Sequence, residues 1–330
     1  MPTSRTTITF ILLTVLTAAL LVADVVTGSV NLSVGEVWAA LSGGDCAEQT
    51  RRIVLDIRLV KALTAFMVGV ALSVSGLQMQ TVFHNPLAGP YVLGISSGAS
   101  LGVALFILAA PFLGGADWIG GFGLTGMAWL GAGAVLLLIA VLYRRIRDIM
   151  VLLILGIMLS SAIGAVVQIL QYVSNEESLK AYVVWTMGNL GDVTWQRMAV
   201  MMPAVVVGLI LAVVTVKALN LMLLGDDYAR TMGLNIRRSR ALIFISTAML
   251  AGTVTAFCGP IGFIGLAVPH VARFLTDSAD HRVLLPASAL TGAAVMVGCD
   301  IISRVAAVPV NAITALLGIP VVVWIVFKFR

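Results

Sequence analysis

Apolar runs of about twenty residues recur along the whole chain, and this repetition constrains the fold more than any other feature. A helix needs ~20 mostly apolar residues to cross the ~30 Å hydrocarbon core of a bilayer. Of the 330 residues, 60% are hydrophobic and 11% are charged, whereas soluble domains carry roughly 25% charged residues. The alternation typical of strands is absent, and backbone amides in lipid must be hydrogen-bonded internally. The sequence therefore predicts an all-α, polytopic membrane protein surrounded by lipids.

Ten spanning helices are predicted from the apolar runs. Their approximate bounds are 7–27, 59–82, 91–110, 126–143, 149–172, 198–217, 239–257, 264–275, 284–302 and 310–327. The third run follows Pro86 and Pro90, and the short eighth run is flanked by Pro260 and Pro269. Because proline interrupts a helix, we expect both runs to form broken or partial helices that are buried in the bundle.

The turns that precede these two short runs resemble each other. Gly89-Pro90 leads into the third run and Gly259-Pro260 leads into the eighth. Two inverted halves of five spans would produce this pattern, as in many transporters. Chance similarity of two glycine-proline turns explains it equally well.

The basic residues fall between the apolar runs, which indicates membrane topology rather than nucleic-acid binding. With the N-terminus in the cytoplasm, thirteen of the 20 Lys and Arg residues lie inside and seven lie outside. The positive-inside rule is then satisfied, and a multi-pass inner-membrane protein with both termini in the cytoplasm is predicted. Cys46, Cys258 and Cys299 lack the spacing of metal ligands, so no metal or cofactor is expected.

We expect one transmembrane domain, 1–330, with external segments 28–57 and 174–197 and a cytoplasmic loop 218–238. Asn31-Leu32-Ser33 precedes Val34 to Leu41, which predicts a short capped helix on the membrane. Ser174 with Glu177 has the spacing of a capping box, so another short helix is predicted to start there.

The energy source is expected to lie in another chain. No series of Asp, Glu or His residues crosses the middle of the predicted spans, so a proton relay is poorly supported. A glycine-rich phosphate loop ending in Gly-Lys-Ser or Gly-Lys-Thr is also absent, so the chain is not itself a P-loop ATPase. In the cytoplasmic loop, Gly225, Ala229 and Gly233 have a four-residue spacing that predicts one small-residue face of a short helix. The alternative is that the glycines mark helix ends.

Four dispersed segments resemble the FecCD-type permeases of bacterial type II ABC importers over nearly the whole chain. They are Asn85-Pro86-Leu87-Ala88-Gly89-Pro90 with Leu93 to Ala99, Cys258 to His270, Leu284 to Gly292, and Pro309 to Pro320. The resemblance implies a transport subunit rather than an enzyme. It also implies two copies of an ABC ATPase subunit, a periplasmic substrate-binding protein, and a second permease copy or a sister permease.

The same resemblance implies roles for particular residues. The loop that docks into the ATPase corresponds to Gly225, Asp226, Ala229, Arg230 and Gly233. The cytoplasmic gate corresponds to Asn85 and Leu87, and the outer contacts with the binding protein correspond to Arg58, Lys61 and Arg304. The Arg-Leu-Pro-Arg motif of the family is Arg58-Leu59-Val60-Lys61 here, and Lys61 lacks the planar fork that grips a carboxylate. Anchoring of the second span by snorkelling is the other interpretation of Arg58 and Lys61.

An iron chelate, either a siderophore or haem, is the cargo that we expect, with cobalamin as the alternative. A rival from another class is an ion-coupled secondary transporter, and a membrane enzyme is a weaker third. The resemblance places the translocation path along 149–172 and 310–327. None of the histidines is predicted to be a haem ligand at the membrane centre, and His270 is expected to make a structural hydrogen bond.

Overall fold

The computed structural model describes residues 4–28, 30–109, 123–146 and 148–328, and this part of the chain contains helices and no β-strand. The helices are α1 Ser4–Val26, α2 Val34–Ser42, α3 Glu48–Arg52, α4 Val60–Val82, α5 Ile95–Ile107, α6 Gly123–Arg145, α7 Ile149–Val173, α8 Glu176–Thr186, α9 Trp195–Val214, α10 Val216–Met222, α11 Asp226–Thr231, α12 Ile236–Thr247, α13 Thr253–Cys258, α14 Ile264–Thr276, α15 His281–Ala306 and α16 Val310–Lys328. A π-helical segment, Ile53–Leu59, joins α3 to α4, and another, Ala248–Gly252, joins α12 to α13. The all-α prediction is confirmed.

Helix α4 forms the centre of the bundle. Nearly all of its residues are buried, and α1, α9, α12, α14 and α15 pack around it. Two glycines allow the closest approaches. A Cβ atom on Gly69 would lie 2.2 Å from the carbonyl oxygen of Gly292, and one on Gly76 would lie 1.8 Å from that of Gly265. In a membrane such small residues let helix backbones meet, and the gain in van der Waals contact holds the helices together.

Six of the described helical segments are long and apolar enough to cross a membrane. They are Arg5–Val26, Gly123–Tyr143, Ile149–Val173, Trp195–Val214, Ile236–Cys258 and His281–Ala306, and shorter apolar helices cover Ile95–Ile107, Ile264–Thr276 and Val310–Trp324. Helix α4 is not among them, although it has 23 residues. Nearly all of its residues, including Gln78 and Gln80, are buried against other helices of the bundle. The number of ten crossings stays a prediction.

The two short helices that the prolines predicted are present. Helices α5 and α14 have 13 residues each. Each begins after a residue with positive φ, Gly94 at 76° and Phe263 at 66°. The loop before α14 is also held by Asn311, whose Oδ1 accepts a hydrogen bond of 3.0 Å from the backbone N–H of Gly262. Both helices are therefore short because an irregular loop occupies part of the depth of the bundle.

Both segments that were predicted to be external contain the predicted short helices. Ser33 caps α2, which confirms the predicted capped helix, and it also forms a capping box with Glu36. The predicted cap of α8 was wrong by one residue. Asn175 caps this helix by accepting from the backbone N–H of Ser178 at 2.8 Å, while Ser174 donates to Gln171 at the end of the preceding helix.

The glycine crossings generate a stability prediction. Gly76→Ala should lower the free energy of unfolding by about 1–3 kcal/mol, because the new methyl group meets a backbone carbonyl that cannot move aside alone. Gly298→Ala is the matched control, since a Cβ at Gly298 meets nothing within 4 Å. That variant should be neutral, or more stable by up to about 1 kcal/mol through helix propensity. Thermal unfolding in detergent measures both, and equal shifts would contradict the role of the close crossing.

Candidate functional site

The loop 218–238, which was predicted to be cytoplasmic, folds differently from the predicted small-residue face. Helix α11 covers only Asp226–Thr231. Gly225, with φ of 97°, immediately precedes it, and Gly233, with φ of 80°, follows it. Ala229 is fully buried, inside a short helix that packs on α10 and α12. The single small-residue face was therefore wrong: the two glycines supply the positive φ at the helix ends, and Ala229 is covered by the protein itself.

An ion pair fixes α11 to α12. The guanidinium Nη2 of Arg240 donates to both carboxylate oxygens of Asp226, at 2.9 and 2.7 Å. Arg240 is only 2% exposed, so solvent screens this contact weakly. Helix α11 and its flanks also present apolar side chains to solvent, with Leu224 63%, Tyr228 50% and Met232 59% exposed, beside the exposed Asp227. Arg230 is also exposed, and its side chain pairs with Asp227 at 3.3 Å.

Residues 83–94, the loop between α4 and α5, contain both predicted gate residues. Asn85 forms a tight turn, because its Oδ1 accepts from the backbone N–H of Leu87 at 2.9 Å. Leu87 is 44% exposed at this turn. His84 has a φ of 47°, which bends the chain away from the axis of α4. Pro86 and Pro90 restrict the residues that precede them, and the loop stays out of helical geometry, as the sequence predicted.

Hydrogen bonds fasten the 83–94 loop on two sides. The Nε2 atom of His84 lies 2.8 Å from the carbonyl oxygen of Met222, the last residue of α10. The Nε2 atom of His270, on α14, lies 2.8 Å from the carbonyl oxygen of Pro86. The prediction of a structural hydrogen bond for His270 is therefore confirmed. The loop is clamped between α14 and the helix that leads into α11.

A second connection joins α4 to α10 through His281, the first residue of α15. Its Nε2 lies 2.8 Å from Thr81 Oγ1, near the end of α4. Its Nδ1 and its backbone N–H both lie 2.8 Å from Asn220 Oδ1, on α10. The amide nitrogen of Asn220 in turn donates to Asp280 Oδ1 at 2.6 Å. This junction is fully satisfied, so α10 cannot shift relative to α4 without breaking it.

Asp280 is the acidic member of this junction and lies outside the spanning segments. The pKa of its carboxyl group is lowered, first by the hydrogen bond from the backbone N–H of Arg282 and then by the bond from Asn220. The carboxylate is the form that accepts both bonds, and it caps the N-terminus of α15, where negative charge is favoured.

Polar residues of α4 continue this network into the bundle. Gln80 donates to the carbonyl oxygen of Leu266 at 3.0 Å and accepts from Arg273 Nη1 at 2.9 Å. Two residues earlier in α4, Gln78 bonds with the hydroxyl groups of Ser246 and Thr247. All these partners lie on α12 or α14. The inner half of α4 is thus tied to its neighbours by side-chain hydrogen bonds rather than by apolar packing alone.

At the other end of α4, the three predicted docking residues lie together at the C-terminus of α1. Arg58 donates to the carbonyl oxygens of Val25, Val26 and Val30 at 3.1, 2.6 and 2.5 Å. Arg304 donates to those of Asp24 and Thr27 at 2.8 and 2.5 Å. Cations at this place satisfy the last carbonyl groups of the helix and complement its dipole.

Two buried carboxylates complete this outer cluster, which we define as Asp24, Arg58, Lys61, Asp300 and Arg304. Lys61 Nζ lies 3.0 Å from Asp300 Oδ1. Arg304 Nη2 bridges Asp300 and Asp24 at 2.5 and 2.8 Å. Asp24 and Asp300 are 0% and 1% exposed, so three cations and two anions are held largely away from water.

The position of the outer cluster bears on the docking role of its cations. Arg58 is 4% exposed, and the side chains of Lys61 and Arg304 are 21% and 13% exposed. A partner's carboxylate would have to compete with Asp24 and Asp300 for them. Docking of a partner through these residues stays a prediction. The contacts that the structure shows for them join α1, α4 and α15.

Sequence reasoning assigned no role to Asp24 and Asp300, or to Asn220 and Thr81. A signal for the first pair exists in the sequence. Asp300 and Arg304 have the i, i+4 spacing of a helical ion pair, and both are too costly to leave unpaired in an apolar helix. Asn220 and Thr81 carry no such signal, because a single polar residue at a helix end has many ordinary explanations.

The outer cluster generates a second prediction. Asp300→Ala leaves Lys61 and part of Arg304 without their anion, so it should lower the free energy of unfolding by about 3–5 kcal/mol. Glu48→Ala is the control, since Glu48 makes a solvent-exposed pair with Arg52, and such pairs contribute about 1 kcal/mol or less. Denaturant unfolding of the purified chain compares the two. A loss no larger for Asp300→Ala than for Glu48→Ala would contradict the stabilising role of the cluster.

Comparisons with known proteins agree with this geometry. A model of the FecCD transport family matches residues 15–328. The hemin transport system permease protein HmuU of Yersinia pestis is 36% identical over 312 residues, which are 92% of this chain and 90% of that protein. The vitamin B12 import system permease protein BtuC of Klebsiella pneumoniae is 36% identical over 309 residues, which are 92% of this chain and 91% of that protein.

Structural comparison gives the same result. The chain is similar to a solved structure described as an inward-facing conformation of an ABC transporter assigned to the metal-chelate type. The TM-score is 0.85 at 29% sequence identity, with 98% of this chain and 99% of the other covered. By the family match and by these relatives, the chain belongs to the FecCD transport family.

Proposed function

We propose that this chain is the membrane permease subunit of a type II ABC importer for an iron chelate. A separate ATPase subunit energises it, and a periplasmic binding protein supplies it. One observation carries the mechanism. The 83–94 loop, which contains Asn85 and Leu87, is hydrogen-bonded to α10, and α10 leads directly into α11. A force applied to α11 therefore reaches the loop through a single short helix.

The exposed apolar side chains on and beside α11 support its role in docking the ATPase. Leu224, Tyr228 and Met232 form an apolar surface that no other described residue covers, and such surfaces on membrane-protein loops favour a protein partner. The Asp226–Arg240 ion pair holds α11 on α12, so the partner would meet a rigid element. Gly225 and Gly233 contribute by forming the ends of this helix, and Ala229 by packing beneath it.

The path is proposed to lie along α7 and α16, between two permease copies. Much of α7 is not covered within the chain, and its exposed residues include Ile154, Met158 and Ile169 at 55%, 63% and 63%. Helix α16 likewise exposes Leu316 at 68%. An apolar lining of this kind would offer a bulky chelate many weak contacts and few strong ones.

The relatives support two candidate cargoes for this chain. The hemin permease supports an iron chelate, which agrees with the structural relative of metal-chelate type. The vitamin B12 permease is equally identical to the chain and favours cobalamin as the second candidate. In each of the three histidines, His84, His270 and His281, a ring nitrogen already bonds to another residue of the protein. This favours a cargo that contacts the path without being ligated by histidine.

Uptake into proteoliposomes tests the function. With the cognate ATPase and binding protein present, uptake of a labelled iron chelate should require ATP on the ATPase side. Haem, a ferric hydroxamate, a ferric catecholate and cobalamin, each supplied as competitor, identify the cargo. Competition by cobalamin alone would overturn the iron-chelate assignment but keep the importer. Uptake on a proton or sodium gradient without the ATPase would overturn the importer itself and favour a secondary transporter.

The connection from α11 to the 83–94 loop generates a further prediction. Asn220→Ala removes the acceptor for His281 and the donor to Asp280, so motion of α10 should no longer reach α4 as a unit. We expect the ATPase to bind normally and to hydrolyse ATP, while chelate uptake falls at least about tenfold, which corresponds to about 1.4 kcal/mol of lost coupling. Uptake and ATP turnover are measured on the same preparation.

A variant on the exposed surface separates docking from transmission. Met232→Glu places a charge on the apolar surface and should abolish co-purification with the ATPase. Met187→Glu is its matched control, because Met187 is 43% exposed in the predicted external segment. Loss of ATPase binding by Asn220→Ala would contradict the transmission role of the junction. Normal ATPase binding together with normal chelate uptake in that variant would contradict it as well.

A further inference from the structure

Two cavities adjoin at the basic ends of α6 and α12, beside α11. The first, of about 530 Å³, is polar, and its lining includes Tyr143, Arg230, Asn235, Arg237 and Arg240. The second, of about 570 Å³, is an apolar groove between the two helices, and its lining includes Gly133, Leu137, Ala140, Phe244 and Ile245. Tyr143, Asn235 and Arg237 line both, so a single elongated ligand could occupy the two together.

Three arginines line the polar cavity, and two of them, Arg230 and Arg240, pair with Asp227 and Asp226. Arg237 and Arg238 are exposed where the cavity meets the groove. Arg240 is 2% exposed, and although its Nη2 bonds to Asp226, its Nε has no hydrogen-bond partner. A buried guanidinium N–H without an acceptor is costly and points to a ligand that supplies one. The chemistry that fits is an anion with several acceptor oxygens, such as a phosphate group.

The length of the groove matches one leaflet of a bilayer. From Tyr143 to Gly133, α6 rises ten residues, or about 15 Å at 1.5 Å per residue. Half of the ~30 Å hydrocarbon core is the same distance. Tyr143 packs edge-on against Phe244, with ring centroids 5.8 Å apart, at the depth where tyrosine is common at membrane interfaces. The groove therefore has the dimensions of an acyl chain, with the basic cavity at headgroup level.

We propose that the α6–α12 groove binds one anionic phospholipid. Its phosphate lies beside Arg237 and Arg238 and within reach of the unpartnered Nε of Arg240, and one acyl chain lies along Ala140 to Gly133. Basic pockets between spanning helices bind acidic lipid headgroups by the same electrostatic attraction. The site does not depend on the proposed transport function. Because the Arg240–Asp226 ion pair forms its wall, a bound headgroup would lie next to α11.

Native mass spectrometry of the delipidated full chain in detergent tests the proposal. The protein is titrated with phosphatidylglycerol and, separately, with phosphatidylcholine of the same acyl chains. Arg237→Gln/Arg238→Gln removes two exposed headgroup charges. Gly133→Leu fills the groove, and the new Cβ itself meets nothing within 4 Å, so the fold is kept. Arg51→Gln/Arg52→Gln is the matched control, with the same loss of charge at the opposite end of the protein.

The wild type should bind one phosphatidylglycerol at least about tenfold more tightly than phosphatidylcholine, given about 1 kcal/mol for each arginine near an acidic lipid. The double arginine variant should lose this preference, Gly133→Leu should weaken phosphatidylglycerol binding, and the control should retain both. Equal affinity for the two lipids would overturn the proposal, as would an unchanged preference after removal of Arg237 and Arg238. Complete competition by millimolar inorganic phosphate, or no effect of Gly133→Leu, would show a soluble-anion site and overturn the lipid assignment.

Discussion

The close packing of α4 against α14 and α15 is the contact on which the rest of the structure depends. Lipid tails are as apolar as leucine, so the hydrophobic effect does not drive helices together inside a membrane. Gly69 and Gly76 instead let the backbones of α15 and α14 approach α4 so closely that a methyl group would overlap them. With α4 enclosed in this way, its polar side chains find protein partners and do not meet lipid.

This enclosure lets the polar residues near the end of α4 join neighbouring helices by hydrogen bonds. Gln78, Gln80 and Thr81 are buried polar residues on a helix that lipid does not touch, and each is hydrogen-bonded to a neighbouring helix. His281 and His84 then connect α4 and the following loop to α10. Hydrogen bonds in such surroundings are strong and directional, so the proposed docking helix and the proposed gate belong to one mechanical unit.

At the outer end, the same helices are held by charge. The resemblance to a family identified Arg58, Lys61 and Arg304 as outward-facing contacts, and the structure adds two buried aspartates that engage two of these three cations. A surface ion pair contributes little, whereas a buried one is costly to break. Any partner that binds these cations must therefore replace contacts that hold α1 to α4 and α15. Recognition at this face and the packing of the bundle would then be coupled.

Much of this protein follows from the sequence alone. Apolar runs of a length that matches the bilayer determine an all-helical membrane protein, since lipid leaves the backbone no other partner than itself. Prolines beside two short runs indicate that α5 and α14 are short, and Asn31-Leu32-Ser33 indicates a capped start for α2. The motifs near Asn85 and near Cys258 to His270 determine the family.

The tertiary structure decided what each polar residue does. Ala229 is part of a regular small-residue spacing in sequence, but α11 ends before Gly233, so the spacing marks a buried anchor and two helix ends. The side chain of Arg58, a basic residue at a span end, could contact solvent, lipid headgroups or backbone carbonyl groups elsewhere in the chain. The structure shows that it donates to carbonyl groups of residues 25–30. Such contacts join residues that are far apart in the chain. Their energy depends on distance and burial, which local sequence does not contain.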